Sequence, residues 1–286
     1  MLWNVSPIAR RFWLPEITTQ ILQFTASDGY PLLLRAYVPH VEPKGHIVCL
    51  HGIQSHGGWY TASCMELAAA GYIVSYLDRR GSGLNWKARG DIPHYRRLLD
   101  DIREFIAADG IDIPVTLMAT SWAGKLAVVL ATEKNLLFDR LVLLCPGLFP
   151  QVQAPLSVRM GVAASRITQP TKLYPIPLND PGLFTDNPQA LQLLQSDPLS
   201  LHEATARLLV ESFWLDKALA RVKELPAVPI LLLLAGQDRI IRNDLTRSWL
   251  QRVAPRSTIL EFPDAHHTLE FEKDRTWLRS LLAWLG

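Results

Sequence analysis

Cysteine is scarce in this 286-residue chain: Cys49, Cys64 and Cys145 form no C-x-x-C, and one is left over in any pairing. A disulfide framework is therefore excluded, and a reducing, cytoplasmic compartment is the simplest expectation. Long apolar runs are also missing. The longest lies around 230–234, far short of the roughly 20 residues that a membrane helix needs, so no integral membrane association is expected. The first residues lack the apolar core of a secretory signal, and Arg10 and Arg11 sit inside rather than ahead of the apolar positions. Trp3, Phe12 and Trp13 beside them could touch a membrane surface, but a segment lying on the fold is the preferred reading. Charge of one sign is lacking too: 29 basic against 27 acidic residues leave a net +2, without the clustered basic excess of a nucleic-acid binder. There is no H-E-x-x-H, no cysteine–histidine cluster and no G-x-x-x-x-G-K-[ST], so no metal or nucleotide cofactor is expected. His51 and His56 have no third ligand nearby. No repeats or low-complexity tracts occur. What is present is 49% hydrophobic and 20% charged residues, enough for a sizeable core in a globular enzyme or binding protein.

The chain alternates between two kinds of segment. Short apolar runs at 47–51, 72–78, 115–121, 141–145, 230–235 and 258–262 each end in turn or polar residues. Runs apolar on both faces are what buried parallel strands look like. Between them lie segments with helical spacing at 59–70, 95–108, 126–131, 245–253 and 277–285. Gly71 is placed to cap the first of these, and Glu270 and Glu272 are read as starting the last near its positive end. Strands alternating with helices imply an α/β fold, a mostly parallel sheet with functional loops at the carboxyl ends of its strands. Ahead of this pattern, 20–25 and 32–38 flank Ser27-Asp28-Gly29 as an antiparallel hairpin. The alternation breaks once. From 148 to 224, 77 residues separate the fourth and fifth runs, too many for an ordinary connection. This stretch is rich in proline, reads as helical at 201–213, and holds seven basic and seven acidic residues. We read it as an inserted, electrically neutral cap (148–224) on a core made of 1–147 and 225–286.

Three run ends carry chemistry. The third enters Ala119-Thr120-Ser121-Trp122-Ala123-Gly124, where a tight strand-to-helix turn would hold the serine hydroxyl exposed above the sheet. The positions two before and two after must be small; both are alanine where the G-x-S-x-G motif has glycine, and Gly124 supplies extra room. The fifth run empties into Gly236-Gln237-Asp238, and the last is followed by Asp264-Ala265-His266-His267. A hydroxyl is a poor nucleophile at neutral pH and needs a base, and an imidazole base needs a carboxylate to fix its tautomer. Ser121, Asp238 and either His266 or His267 would supply that set from one edge of the sheet. His51-Gly52-Ile53-Gln54 follows the first buried run. By position, the backbone amides of Ile53 and Trp122 are candidates for an oxyanion hole.

With these residues the chain resembles the α/β-hydrolases, and within them the monoacylglycerol lipase, lysophospholipase and serine aminopeptidase group. The likeness rests on His51-Gly52-Ile53-Gln54-Ser55-His56-Gly57-Gly58-Trp59-Tyr60, Asp78-Arg79-Arg80-Gly81-Ser82-Gly83, the Ser121 turn, Gly236-Gln237-Asp238 and His267-Thr268-Leu269. It implies the α/β-hydrolase fold and selects His267 over His266, because leucine follows the group's catalytic histidine after one residue. The bulky Trp122 is expected to narrow the acyl pocket and to favour short chains. Arg79 and Arg80 could hold an anionic headgroup; a glycine turn whose charges pair locally is the preferred reading. Cys145 reads as a core residue.

The expected function is a serine hydrolase (carboxylic ester hydrolase) acting on a small-molecule ester with an apolar acyl part. A monoacylglycerol- or lysophospholipid-like ester, or a smaller one, would fit. Leu148, Phe149, Phe184, Phe213 and Trp214 are candidate pocket residues in the cap. An amide or peptide hydrolase, an acyltransferase with the same triad, or a non-catalytic binding protein are the alternatives; natural substrate and oligomeric state stay open.

Overall fold

The computed structural model describes residues 12–14 and 17–286, apart from 109 and 111. Trp3, Arg10 and Arg11, and the side chains of Phe12 and Trp13, lie outside that description, and with them the membrane-contact alternative. The strands are β1 (Phe12–Leu14), β2 (Ile17–Thr25), β3 (Pro31–Pro39), β4 (Gly45–Leu50), β5 (Tyr72–Leu77), β6 (Val115–Thr120), β7 (Arg140–Leu144), β8 (Leu173–Pro175), β9 (Glu203–Thr205), β10 (Ile230–Ala235) and β11 (Thr258–Phe262). The helices are α1 (Thr61–Ala69), α2 (Tyr95–Ala108), α3 (Ala123–Ala131), α4 (Leu156–Thr168), α5 (Pro188–Ser196), α6 (Ala206–Leu219), α7 (Asn243–Val253) and α8 (Thr276–Leu285).

Nine strands form one sheet in the order β1-β2-β3-β5-β4-β6-β7-β10-β11. From β5 through β4, β6, β7 and β10 to β11 every pairing is parallel; β1, β2 and β3 add an antiparallel edge. The six apolar runs are these six parallel strands. Every residue of β4 and β10 is buried, as expected of strands covered by helices on both faces. β3 instead alternates buried and half-buried positions along most of its length, as a half-solvated antiparallel strand does. On α2 the buried stripe is Leu98, Leu99, Ile102, Phe105 and Ile106, with Asp101 buried beside it. Asp101 receives Nε and Nη2 of Arg80, each at 2.6 Å, so Arg80 pairs locally as its glycine turn suggested. Gly71, at φ +98°, follows α1 in the left-handed conformation that a helix end favours.

Two expected elements differ. The helix read from 201 begins only at Ala206: Glu203–Thr205 instead pairs antiparallel with Leu173–Pro175. The Thr205 hydroxyl then accepts the Leu208 amide at 3.1 Å and caps α6. Glu270 and Glu272 do not open the last helix, which starts at Thr276. Glu270 accepts the Ser63 amide and pairs with Arg275, and Glu272 pairs with His266. Residues 148–224 hold α4, β8, α5, β9 and α6 between β7 and β10. Among the described residues no helix is long and apolar enough to cross a membrane. Because adjacent parallel strands end on the same edge, the loops after β4, β6, β10 and β11 are brought together there.

Candidate active site

At the end of β6 the chain turns sharply. Ser121 has φ +53°, in the left-handed region that non-glycine residues rarely adopt. The turn is tied on both sides: the Ser121 amide donates to Leu144 O at 3.0 Å, and its carbonyl accepts the amides of Gly124 and Gly147, each at 2.8 Å. Ala119 and Ala123, which stand where the motif has glycine, are both buried, at 0% and 1% exposure. The room at Gly124 is specific, since a Cβ there would lie 2.5 Å from Cβ of Pro146.

The loops after β10 and β11 converge on this serine. Nε2 of His267 lies 2.9 Å from Ser121 Oγ, and its Nδ1 lies 2.7 Å from Asp238 Oδ2. The other Asp238 oxygen accepts the amides of Ile240 and Ile241 at 2.8 and 3.0 Å. A carboxylate is acceptor-only, so Nδ1 of His267 carries the proton. Nε2 is then left with a lone pair for the serine hydroxyl. Both side chains are almost wholly buried, His267 at 2% exposure and Asp238 at 0%. His266 points elsewhere, to Asp186 at 2.9 Å and Glu272 at 3.0 Å. Of the two histidines that spacing leaves open, His267 is the one beside Ser121.

Gly52 follows β4 closely enough that a Cβ on it would lie 3.2 Å from Cβ of Ser121. His51, ahead of it, is pulled down to about 3 by burial, with the Arg79 charge adding to the shift. It is neutral, its Nε2 accepting the Arg79 amide at 2.9 Å and its Nδ1 donating to Gly52 O at 2.7 Å. Asp78 ties the same loop to its neighbours, accepting Arg35 Nη1 at 2.9 Å, the Gly57 amide at 2.7 Å and the Leu84 amide at 2.8 Å. Burial would raise its carboxyl, but Arg35 and those two amides outweigh it and hold it below the usual range.

The space at Ser121 holds about 270 Å³ and is lined by Gly52, Ile53, Trp59, Tyr60, His267 and, from the 148–224 segment, Leu178 and Phe184. Phe184 was foreseen as a lining residue. Leu178 was not, and nothing in the sequence near it distinguishes it. Trp122, expected to narrow this space, is not among its walls. Its indole Nε1 donates to Ser212 Oγ at 2.8 Å and its ring lies 5.0 Å from the Arg79 guanidinium. A second, larger space of about 1850 Å³ runs between α4 and α6, lined by Val158, Val162, Pro177, Leu209, Phe213 and Trp214 among others. Leu148 is buried in the core and Phe149 packs on Trp249.

This sheet, with a serine turn, a histidine and an aspartate gathered on its carboxyl edge, defines an α/β-hydrolase. Residues 41–274 match the family model described as serine aminopeptidase, S33, and the chain belongs to that family of serine hydrolases. It is 24% identical over 242 residues to phospholipase YtpA of Bacillus subtilis, covering 82% of this chain and 92% of that one. It is 23% identical over 277 residues to the monoacylglycerol lipase of Mycolicibacterium smegmatis, covering 92% and 95%. Among solved structures it is similar to the monoacylglycerol lipase of Paleococcus ferrophilus, with a TM-score of 0.79 at 23% identity over 89% of this chain and 98% of the other.

Proposed function

We propose that the protein cleaves a carboxylic ester through an acyl-enzyme on Ser121. The observation that carries this reading is the unbroken Ser121–His267–Asp238 hydrogen-bond chain at 2.9 and 2.7 Å. His267 takes the hydroxyl proton as Oγ attacks the carbonyl carbon, then gives it to the leaving alcohol. Water, activated by the same imidazole, releases the acid. Asp238 holds the imidazole in the right tautomer and stabilises the imidazolium. The amides of Ile53 and Trp122 bind the oxyanion of the tetrahedral intermediate. The Ser121 carbonyl is engaged by Gly124 and Gly147. Carbonyl and following amide of one trans peptide point in opposite directions, so the Trp122 N–H is turned away from those partners.

Residues 148–224 act as the cap, presenting Leu178 and Phe184 to the acyl part of the substrate. The small space at Ser121 favours short acyl chains over the long ones of a monoacylglycerol or lysophospholipid. The lipase and phospholipase relatives support an ester, rather than a peptide, as the bond cleaved. A reducing, cytoplasmic setting agrees with Cys49, Cys64 and Cys145, all buried and free. Hydrolysis of a p-nitrophenyl ester series tests the reading. Ser121→Ala and His267→Ala should abolish turnover, and Asp238→Asn should lower kcat on the order of 10⁴-fold. Undiminished hydrolysis by Ser121→Ala would refute it.

A further inference from the structure

We propose that Arg79 is the positioning residue of the oxyanion hole, holding both of its halves in place from behind. The proposal rests on the reading of Ser121 as nucleophile and of the Ile53 and Trp122 amides as the hole. Of the two adjacent arginines, Arg80 is spent on Asp28 and Asp101. Among the described residues no carboxylate lies within ion-pair distance of Arg79, whose Nε is buried without a partner. Its guanidinium instead donates from Nη1 to Gly52 O at 3.2 Å and from Nη2 to Ile53 O at 3.0 Å. The same group lies over the Trp122 ring at 5.0 Å to the centroid, a cation–π distance. One side chain thus touches each residue whose amide would face the oxyanion.

The peptide between Gly52 and Ile53 shows what this does. Its carbonyl oxygen is held by Arg79 and by His51 Nδ1. In a planar trans peptide the N–H points opposite to the C=O, so pinning that oxygen aims the Ile53 amide away from Arg79. Gly52, the residue before it, stands against Ser121. A cation on the carbonyl also polarises the amide, making its N–H a stronger donor. Burial pulls the guanidinium down to about 10, which leaves it charged at neutral pH. A fixed positive charge beneath two preorganised amides favours the negative oxygen that exists only in the transition state and intermediates. Such a group raises kcat and leaves ground-state binding almost untouched.

The test uses the full chain carrying Arg79→Met, with Arg79→Lys as the conservative variant that keeps the charge but not the paired donors. Steady-state kinetics on a short p-nitrophenyl ester should show kcat lowered about 10²-fold by Arg79→Met with KM little changed, and a partial recovery in Arg79→Lys. Affinity for a trifluoromethyl ketone of the same acyl part, whose serine adduct carries an oxyanion, should fall in step with kcat. Hydrogen–deuterium exchange should quicken over residues 51–57 in Arg79→Met, whatever the activity. A folded Arg79→Met with wild-type kcat, a change in KM alone, or unaltered exchange over 51–57 would overturn the proposal. If Arg79→Met does not fold, the same criteria are applied to Arg79→Lys. A wild type without esterase activity would instead refute the proposed ester hydrolysis, and the exchange measurement would still decide whether Arg79 holds this peptide.

Discussion

Ser121 sits at φ +53°, a conformation in which a side chain costs free energy that glycine does not incur. Replacing the serine by glycine removes both hydroxyl and Cβ, whereas alanine removes only the hydroxyl. In urea unfolding Ser121→Gly should therefore be more stable than Ser121→Ala, by about 1 kcal/mol, while both are inactive. Equal stability, or a less stable glycine variant, would show that the turn is unstrained. Gly124 behaves in the opposite way. A methyl group there would meet Pro146 at 2.5 Å, so Gly124→Ala should cost about 1–3 kcal/mol of stability and lower kcat by shifting the turn. Ser121 and Asp238 were legible as candidates because each closely follows an apolar run that reads as a buried strand; the last run left His266 and His267 open, and the resemblance chose between them. That Gly124 gives needed room was legible too; what fills the far side was not, since Pro146 comes from the next strand's loop. The role of Arg79 was hidden for the same reason. Its partners Gly52 and Ile53 lie 27 and 26 residues away in the chain, and pairing with carboxylates was the plainer expectation.

At the scale of elements, apolar runs located β4, β5, β6, β7 and β10 because burial on both faces removes polar alternation; β11 was located by its run too, but as the edge strand it is exposed or half-buried throughout. The stripe on α2 was equally plain. Inside 148–224 the pattern weakens: β8 and β9 are three residues each, and α4 buries only Val162 and Ser165, so their periodicity carries little signal. Asp197, which follows α5, shows how this segment is fastened. It accepts His56 Nε2 at 2.8 Å, Trp59 Nε1 at 2.7 Å and Ser200 Oγ at 2.7 Å, joining the segment to the loop after β4. Burial acts to raise its carboxyl, but these partners outweigh it and hold the group well below its ordinary value of 3.8. A carboxylate with a depressed folded pKa stabilises the fold above its unfolded value, and that contribution is lost as pH falls through the folded one. Asp197→Asn should therefore lower the unfolding midpoint most at neutral pH, with the gap to wild type closing as pH drops below 3.8. A gap independent of pH would mean that the charge of Asp197 is not what holds the two parts together.

At the scale of the whole molecule, the described residues form one nine-stranded sheet and, within 148–224, a two-stranded one, and this segment reaches the serine turn through Leu178 and Phe184. Two spaces lie there, about 270 Å³ at Ser121 and about 1850 Å³ between α4 and α6. Consecutive residues divide them: Leu178 lines the first and Pro177 the second. Trimming that divider by Leu178→Ala should raise the ratio of long-chain to short-chain ester hydrolysis about 10-fold, read as kcat/KM across an acyl series. An unchanged ratio would place the control of chain length elsewhere. Trp122 does not exercise that control directly, because its indole is engaged by Ser212 and Arg79. The most direct test of the central claim is mass spectrometry of the protein after treatment with a fluorophosphonate. A single covalent adduct mapped to Ser121 and absent from Ser121→Ala is expected. No adduct on the wild type, or one that survives the substitution, would contradict the assignment of Ser121 as the nucleophile.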